Sequence, residues 1–217
     1  MNPWRTVATA ESLTLRERAG EFLVQVDGRV LMSSRRHVSE DLLATVTLKG
    51  LGASARVLIG GLGFGYTLRA ALDALAPGAS VVVAEISAAI VGWNRAVLAS
   101  LAGRPLDDAR VSVEVDDVRE RLVPGAFDAV LLDVDNGPFA VSRPENASLY
   151  TKEGVEKLLA ALTPGGRLGV WSAGADQSFD RRLQEVGFTT SVHHVPAGGS
   201  EASHHVLFVA TKLSSPT

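Results

Sequence analysis

The sequence predicts an α/β domain built on a mostly parallel β-sheet, with a small β segment in front of it. From residue 56 onward, short apolar runs alternate with helix-like patterns, which is typical of strands covered on both faces. A glycine-rich turn follows the first apolar run, and a short polar loop joins the last two runs. The chain has 217 residues, 46% of them hydrophobic, which is enough for one sizeable core.

Residues 1–38 are predicted to form a β-hairpin appendage, and residues 39–217 the main domain. Apolar and polar residues alternate from 22 to 32 around the dipeptide Asp27–Gly28, a pair that favours a tight hairpin turn. Ser39 precedes two acidic residues, so we expect it to cap the N-terminus of a helix.

The main domain is predicted to contain five parallel strands followed by an antiparallel pair. The parallel strands are expected at 57–59, 81–84, 111–115, 129–132 and 167–171, and the antiparallel pair at 188–195 and 205–211. Helices are expected at about 67–76, 88–101, 152–162 and 177–186. This arrangement is that of Rossmann-like class I methyltransferase folds.

Composition argues against several classes of function. Cysteine is absent, which rules out disulfides, thiolate metal sites and a thiol nucleophile. The net charge is −3 and the basic residues are scattered, so we expect no nucleic-acid binding. No apolar run is long enough to span a membrane, and the N-terminus lacks the apolar core of a secretory signal, so we expect a cytoplasmic protein with no membrane partner.

The histidines near the C-terminus form no predicted metal site. Adjacent residues on a strand point to opposite faces, so at most two of them share a side. We therefore interpret them as a polar strand surface and expect no metal. They are His193, His194, His204 and His205.

The glycine-rich turn is the first candidate for a ligand site. Gly61, Gly63 and Gly65 let the backbone turn sharply after a strand and approach a ligand closely. Glu85 ends the next strand, where a carboxylate can accept the ribose hydroxyls of a nucleoside. A merely tight turn and a solvated strand end are the alternatives. Together the two features favour nucleoside binding.

Two more carboxylates follow predicted strands. Asp117 can accept the exocyclic amino group of adenine, while Val118 supplies a backbone N–H. Asp133 follows four apolar residues and must emerge at the carboxyl edge of the sheet or be paired, because burying an isolated charge is costly. Asp133 is therefore the candidate reacting group, with a structural role as the alternative.

A nicotinamide dinucleotide is the less favoured ligand. Its G-x-G-x-x-G/A fingerprint needs a small residue at the last position, which is Tyr66 or Leu68 here. The acidic residues after the third and fourth strands also have no standard role in dinucleotide binding. We therefore prefer an adenosyl sulfonium ligand to the cofactor of an oxidoreductase.

The same motifs resemble those of the spermidine synthase (polyamine aminopropyltransferase) family across nearly the whole chain. GLGFGYTLR at 61–69 is similar to the family's GGGDGGTLR. The other matched motifs are EIS at 85–87 for EID, DD at 116–117 for GD, DVDNGP at 133–138 for DSSDP, LYTKE at 149–153 for LFTKE and, more loosely, the segment ending in Glu40 for YQE or YHE.

The resemblance implies a transferase of polyamine biosynthesis. It would use S-adenosylmethionine or decarboxylated S-adenosylmethionine as co-substrate and alkylate a small amine by aminopropyl transfer. By the same resemblance, Glu85 would hold the ribose, Asp117 the adenine, and Asp133 would be the base.

The amine side of the site departs from the family pattern. Phe64 stands where the family has an acidic residue, Asn136 replaces the second acid of DSSDP with Asp135 beside it, and Tyr150 is expected in the pocket wall. A small-molecule methyltransferase and a non-catalytic adenosyl-nucleoside-binding protein therefore remain alternatives. The N-terminal hairpin could pair with that of a second copy, which suggests a possible homodimer.

Overall fold

The computed structural model describes residues 3–134, 137–139, 144–197 and 204–214, with the side chains of residues 144 and 145 left out. The chain divides into two compact units, Met1–His37 and Val38–Thr217. Two predicted substrate-binding residues, Asp135 and Asn136, lie outside the described residues.

The N-terminal unit is a four-stranded antiparallel sheet. Its strands, in spatial order, are β1 (Arg5–Ala10), β2 (Leu13–Arg18), β3 (Glu21–Val26) and β4 (Arg29–Ser33). The predicted hairpin is β3–β4, and both turn residues, Asp27 and Gly28, have positive φ. The expectation of a hairpin alone was incomplete, because β2 contributes buried Leu13 and Leu15 beside Val24 of β3. A two-stranded hairpin is marginal in water, and the additional strands give it a face to bury.

The main unit is a seven-stranded sheet flanked by helices. Its elements are α1 (Val38–Leu48), β5 (Arg56–Gly60), α2 (Tyr66–Ala74), β6 (Ser80–Ala84), α3 (Ala88–Arg95), β7 (Val111–Glu114), β8 (Phe127–Leu132), α4 (Lys152–Ala161), β9 (Leu162–Ser172), α5 (Gln177–Val186), β10 (Phe188–Pro196) and β11 (His204–Lys212). Short 3₁₀ turns lie at Pro105–Asp107, Val118–Arg121 and Pro144–Tyr150.

The sheet order is β10-β11-β9-β8-β5-β6-β7. The five strands from β9 to β7 are parallel, and β10 and β11 are antiparallel to their neighbours. The predicted fold class, a mostly parallel sheet with an antiparallel C-terminal pair, is therefore confirmed. None of the helices in the described part of the chain is long and apolar enough to cross a bilayer.

The centre of the sheet explains where polar residues emerge. Residues 129–132 of β8 are completely buried, as are Leu58 and Ile59 of neighbouring β5. Both strands end at the same edge, where Gly60 pairs with Leu132. Polar side chains that follow these strands are thus gathered at one edge of the sheet.

Three predicted boundaries were wrong. Helix α3 ends at Arg95 instead of 101, because Ala96 leaves helical geometry at φ −121° and ψ −103°. Strand β9 begins at Leu162, so the Pro-Gly-Gly turn lies within the strand and not before it. The pairing of β9 with β8 is irregular there, between Phe127 and Ala129 of β8. Helix α1 begins at Val38, so Ser39 lies within its first turn and is not its cap.

Candidate active site

The glycine loop between β5 and α2 is shaped by the chain's own packing. Gly61 has φ +89°, and a Cβ there would lie 2.3 Å from the carbonyl oxygen of Asp133. Gly63 and Gly65 also have positive φ, and Gly65 leads directly into α2. Glycine at 61 is therefore required for the strand ends of β5 and β8 to meet, whatever ligand approaches the loop.

Asn94 of α3 secures the same loop. Its side chain is buried, and its amide donates hydrogen bonds of 2.9 Å to the carbonyl oxygens of Gly63 and Ile90. Sequence reasoning missed this residue, because a lone Asn in an amphipathic helix resembles any polar position. A polar residue on the helix face that is otherwise apolar was the only available signal.

Glu85 follows β6 and connects the glycine loop to α3. One carboxylate oxygen accepts the Leu62 N–H at 2.9 Å, and the other accepts the Ser87 N–H at 2.8 Å. The residue is 8% exposed, and each oxygen keeps a further lone pair. The carboxylate is thus held rigidly by backbone donors, and it can still accept hydroxyl groups.

Two exposed apolar side chains lie beside Glu85. Ile86 is 56% exposed and Val115, after the neighbouring strand β7, is 54% exposed. Backbone hydrogen bonds between Glu85 and residues Glu114 and Asp116 hold the ends of β6 and β7 together. The edge therefore offers an apolar surface next to a carboxylate, as a stacked base beside its ribose requires.

Asp117 is already engaged by Arg119. It caps the 3₁₀ turn Val118–Arg121 by accepting the Arg119 N–H at 2.9 Å, and its Oδ2 accepts from the Arg119 guanidinium at 2.6 Å. The Arg119 guanidinium thereby lowers the pKa of Asp117. Val118 has a buried side chain that contacts the end of β5 at Gly60. Asp117 is therefore an acceptor at this edge whose ionised form is favoured by Arg119.

Asp133 lies in the middle of the edge, directly after β8. Its N–H donates to the Gly60 carbonyl at 2.9 Å, and its Oδ2 accepts a 2.6 Å hydrogen bond from the buried hydroxyl of Thr67 in α2. Burial, and to a smaller extent the Glu40 and Glu85 carboxylates, raise the pKa of Asp133 to about 7 against the opposing effect of the Thr67 hydrogen bond. Asp133 is thus poised to take a proton near neutral pH.

Thr67 was missed as a site residue, although it lies within the matched glycine motif. It is the second residue of α2, and nothing in the sequence shows that its hydroxyl turns toward β8. Only the sheet order, which places β8 next to β5, brings the two residues together.

A second group of polar side chains near Asp133 is formed by the first turn of α1 and the start of β11. This helix packs against β8, β9, β11 and α2. It contributes Glu40, whose carboxylate raises the pKa of Asp133. Burial raises the pKa of the Tyr66 phenol, and the negative charges of Asp41 and Glu40 raise it as well. The matched motif ending in Glu40 gave a loose signal for this position.

His205, at the start of β11, joins this group. Its Nδ1 lies 3.0 Å from the Ser39 hydroxyl oxygen, and its ring lies 4.7 Å from the indole of Trp171 between centroids. Burial lowers the pKa of His205, and Glu40 partly opposes the shift. The prediction of a plain polar strand surface therefore does not describe His205, because α1 covers it. Within the described residues no cluster of three metal-ligating side chains occurs.

Two predicted substrate-binding residues are largely buried. Phe64 is 5% exposed, and its ring lies 6.4 Å from that of Tyr66. Tyr150 is also 5% exposed, packs edge-on against Phe179 at 5.6 Å, and donates a 3.4 Å hydrogen bond to the Val134 carbonyl. Tyr150 thus supports the segment that follows Asp133.

Neither a protein-family model nor a curated protein matches the sequence. Solved structures do match. The spermidine synthase of Thermotoga maritima superposes with a TM-score of 0.75 at 20% identity, over 96% of this chain and 73% of its own. A spermidine synthase in complex with the transition state analogue AdoDATO superposes with a TM-score of 0.76 at 20% identity, over 96% and 74%.

A methyltransferase with a bound nucleoside also matches. The 1,6-didemethyltoxoflavin-N1-methyltransferase of Burkholderia thailandensis, solved with S-adenosylhomocysteine, has a TM-score of 0.59 at 21% identity, over 82% of this chain and 80% of its own. The resemblance that the motifs suggested is thus confirmed at the level of the fold. The chain has the Rossmann-like fold that spermidine synthases share with class I methyltransferases.

Proposed function

We propose that the protein is a spermidine synthase-like transferase, which moves an alkyl group from an S-adenosyl donor to a small amine. The observation that carries the proposal is Asp133, a partly buried carboxylate with a pKa raised to about 7. It lies at the carboxyl edge of the sheet. On one side is the rigidly held Glu85 with the glycine loop, and on the other are Glu40 and the rings of His205 and Trp171. A strongly raised carboxylate pKa at a ligand-binding edge is typical of groups that transfer protons.

The nucleoside half suits an adenosyl group. Glu85 is fixed by two backbone N–H groups and can accept ribose hydroxyls with its remaining lone pairs. Ile86 and Val115 offer apolar contact to a purine, and Asp117 can accept its amino group. These features support the donor assignment.

The chemistry requires a neutral nitrogen. The lone pair of the acceptor nitrogen forms the new N–C bond at the carbon attached to the sulfonium, and the C–S bond breaks with its electrons kept on sulfur, which leaves as a neutral thioether. The nitrogen then carries one proton too many, which passes to the Asp133 carboxylate. A base with a pKa near the working pH is suited to this step, and holding donor and acceptor in line supplies much of the rate.

The acidic surroundings favour an amine over other acceptors. The Glu40 carboxylate raises the pKa of Asp133, because a negative charge nearby disfavours a second one. An incoming ammonium would relieve this repulsion before it gives up its proton. This agrees with the amine expected from the family resemblance.

The group transferred is the finer part of the proposal. Aminopropyl transfer from decarboxylated S-adenosylmethionine, within polyamine biosynthesis, follows from the resemblance. Methyl transfer from intact S-adenosylmethionine is the second candidate, because Phe64 replaces an acid that would repel the donor's carboxylate. A non-catalytic nucleoside-binding protein is the alternative without turnover.

Calorimetry with the two donors, followed by turnover assays with small amines, tests the proposal. We expect at least one donor to bind, and Asp133→Asn to retain donor binding while losing transfer. Asp116→Asn is a matched control, because Asp116 is an acid at the same edge that pairs with Arg121 at 2.7 Å. Tighter binding of the decarboxylated donor would remove the methyl-transfer candidate. Failure of both donors to bind would overturn the proposal.

A further inference from the structure

The hydrogen-bond chain from Glu40 to His205 fixes one tautomer of the imidazole. The Ser39 hydroxyl donates its single proton to the Glu40 carboxylate at 2.5 Å, because an ionised carboxylate can only accept. The Ser39 oxygen therefore accepts from Nδ1 of His205 at 3.0 Å. In the neutral ring, Nε2 then carries a lone pair and no proton.

This lone pair is available to a ligand. Among the residues that the structure describes, none makes a hydrogen bond to Nε2 of His205. Nε2 is also absent from the set of fully buried polar atoms without a partner. The ring itself is held by Ser39 on one side and by the Trp171 indole on another. A rigid, neutral hydrogen-bond acceptor is thus presented at the sheet edge.

His205 and Asp133 lie on the same face of the sheet. Leu132 pairs with Val170, so Asp133 lies beside Trp171, and Trp171 pairs with Leu207 of β11. Side chains alternate along a strand, so His205, two residues before Leu207, faces the same way. Two strand spacings of about 4.8 Å separate β8 from β11, or about 10 Å between backbones. Trp171 of the intervening strand β9 lies on this face against the His205 ring, so a carbon chain that joins Asp133 to His205 would run along its indole.

From this geometry we propose that His205 selects the acceptor, by accepting a hydrogen bond at Nε2 from a hydroxyl at the end opposite the reacting nitrogen. The acceptor is then an amino alcohol. This inference rests on the proposed transferase function, in which the amine end of the same molecule is deprotonated by Asp133.

A hydroxyl suits this position better than a second ammonium. The imidazole offers one lone pair, which matches the one proton of a hydroxyl, whereas an ammonium brings three donors that must all be satisfied when water is removed. Burial also disfavours positive charge here, since it lowers the pKa of His205 even with Glu40 nearby. The Trp171 ring adds an apolar flank for the carbon chain.

Three amines of equal chain length test the inference: aminobutanol, diaminobutane and butylamine. With the donor that calorimetry identifies, we expect kcat/KM to be highest for aminobutanol and about 3–10-fold lower for butylamine, the range of one neutral hydrogen bond. His205→Phe keeps a ring but removes the lone pair, so it should bring the aminobutanol to butylamine ratio close to one, through KM, with donor affinity unchanged. His204→Gln, at the exposed neighbouring position, should leave the ratio as it is.

The Ser39→Ala variant separates the effect of the imidazole tautomer from the effect of the ring itself. Nitrogen-15 NMR of the imidazole should show protonated Nδ1 in the unmodified protein and a mixture of tautomers in the variant, with a partial loss of the aminobutanol preference. A preference for diaminobutane, or a ratio that His205→Phe leaves unchanged, would overturn the inference while the transferase proposal survives. Failure of both donors to bind, or the absence of turnover with any amine, would overturn both.

Discussion

The two halves of the sheet's carboxyl edge are built in different ways. In the half over β5, β6 and β7, Glu85 is fixed by backbone N–H groups of its own loop and of the glycine loop. In the half over β8, β9 and β11, the important contacts join side chains from segments far apart, such as Ser39 with His205 and Thr67 with Asp133. The first half depends on local backbone geometry, and the second depends on the assembled tertiary structure.

The electrostatics of the halves differ in the same way. Arg119 lowers the pKa of Asp117 in the first half, which favours the ionised form of that carboxylate. In the second half, burial with Glu40 and Glu85 nearby raises the pKa of Asp133. Carboxylates whose pKa values are pushed apart are suited to separate tasks, which in the proposed mechanism are binding and proton transfer. Variants that act on one half only can test this division.

The largest effect is expected from Asp133→Asn. Loss of a positioned base should lower the transfer rate by about 10²–10⁴-fold, measured by product formation at saturating donor. Donor affinity should stay close to that of the unmodified protein. An active Asp133→Asn variant would assign the proton transfer to another group.

The same variant should be more stable above neutral pH. The folded-state pKa of Asp133, about 7, is raised above its ordinary value of 3.8, so the folded state favours the protonated form. The contribution of the raised pKa to the free energy of unfolding is fully present below about pH 4 and is lost as the pH rises through about 7. Asparagine removes this cost, and we expect a gain of about 1–2 kcal/mol in the free energy of unfolding above pH 7, reduced for the partial exposure of the side chain. Urea titrations at acid and alkaline pH would show whether the gain grows with pH.

An intermediate effect is expected from Glu85→Gln. The amide NH2 group of the introduced glutamine must then face the N–H of Leu62 or of Ser87, which is a donor facing a donor. The ribose would also lose a charged acceptor. Donor affinity should fall about 10–100-fold by calorimetry, the range of one hydrogen bond to a charged group. Asp116→Asn should have little effect. Equal losses in both variants would mean that net charge, and not the ribose contact, governs binding.

The smallest effects are expected from the partners of Asp133, and they have opposite signs. Thr67→Val removes a hydrogen bond that lowers the pKa of Asp133, so the acidic limb of the rate profile should move to higher pH. Glu40→Gln removes a repelling charge, so the limb should move to lower pH. Each shift should be about half a unit to one unit, since a single neighbouring group contributes on that scale. Shifts in the same direction would contradict the assignment of the limb to Asp133.

What sequence reasoning could predict follows the same division. The strands and Glu85 were found because apolar runs, glycines and strand-end acids are local patterns. Ser39 was misplaced as a cap, and His205 was interpreted as an ordinary strand residue, because their contact joins α1 to β11 across 166 positions of the chain. The extra strands of the N-terminal sheet were missed because β1 and β2 are partly polar and have weak alternation.

We propose that an adenosyl group lies over the glycine loop with its ribose held by Glu85. A crystal structure with S-adenosylhomocysteine tests it most directly. We expect both ribose hydroxyls within about 3 Å of the Glu85 carboxylate, and the sulfur positioned toward Asp133. A ligand that binds elsewhere, or a ribose held without Glu85, would contradict the account.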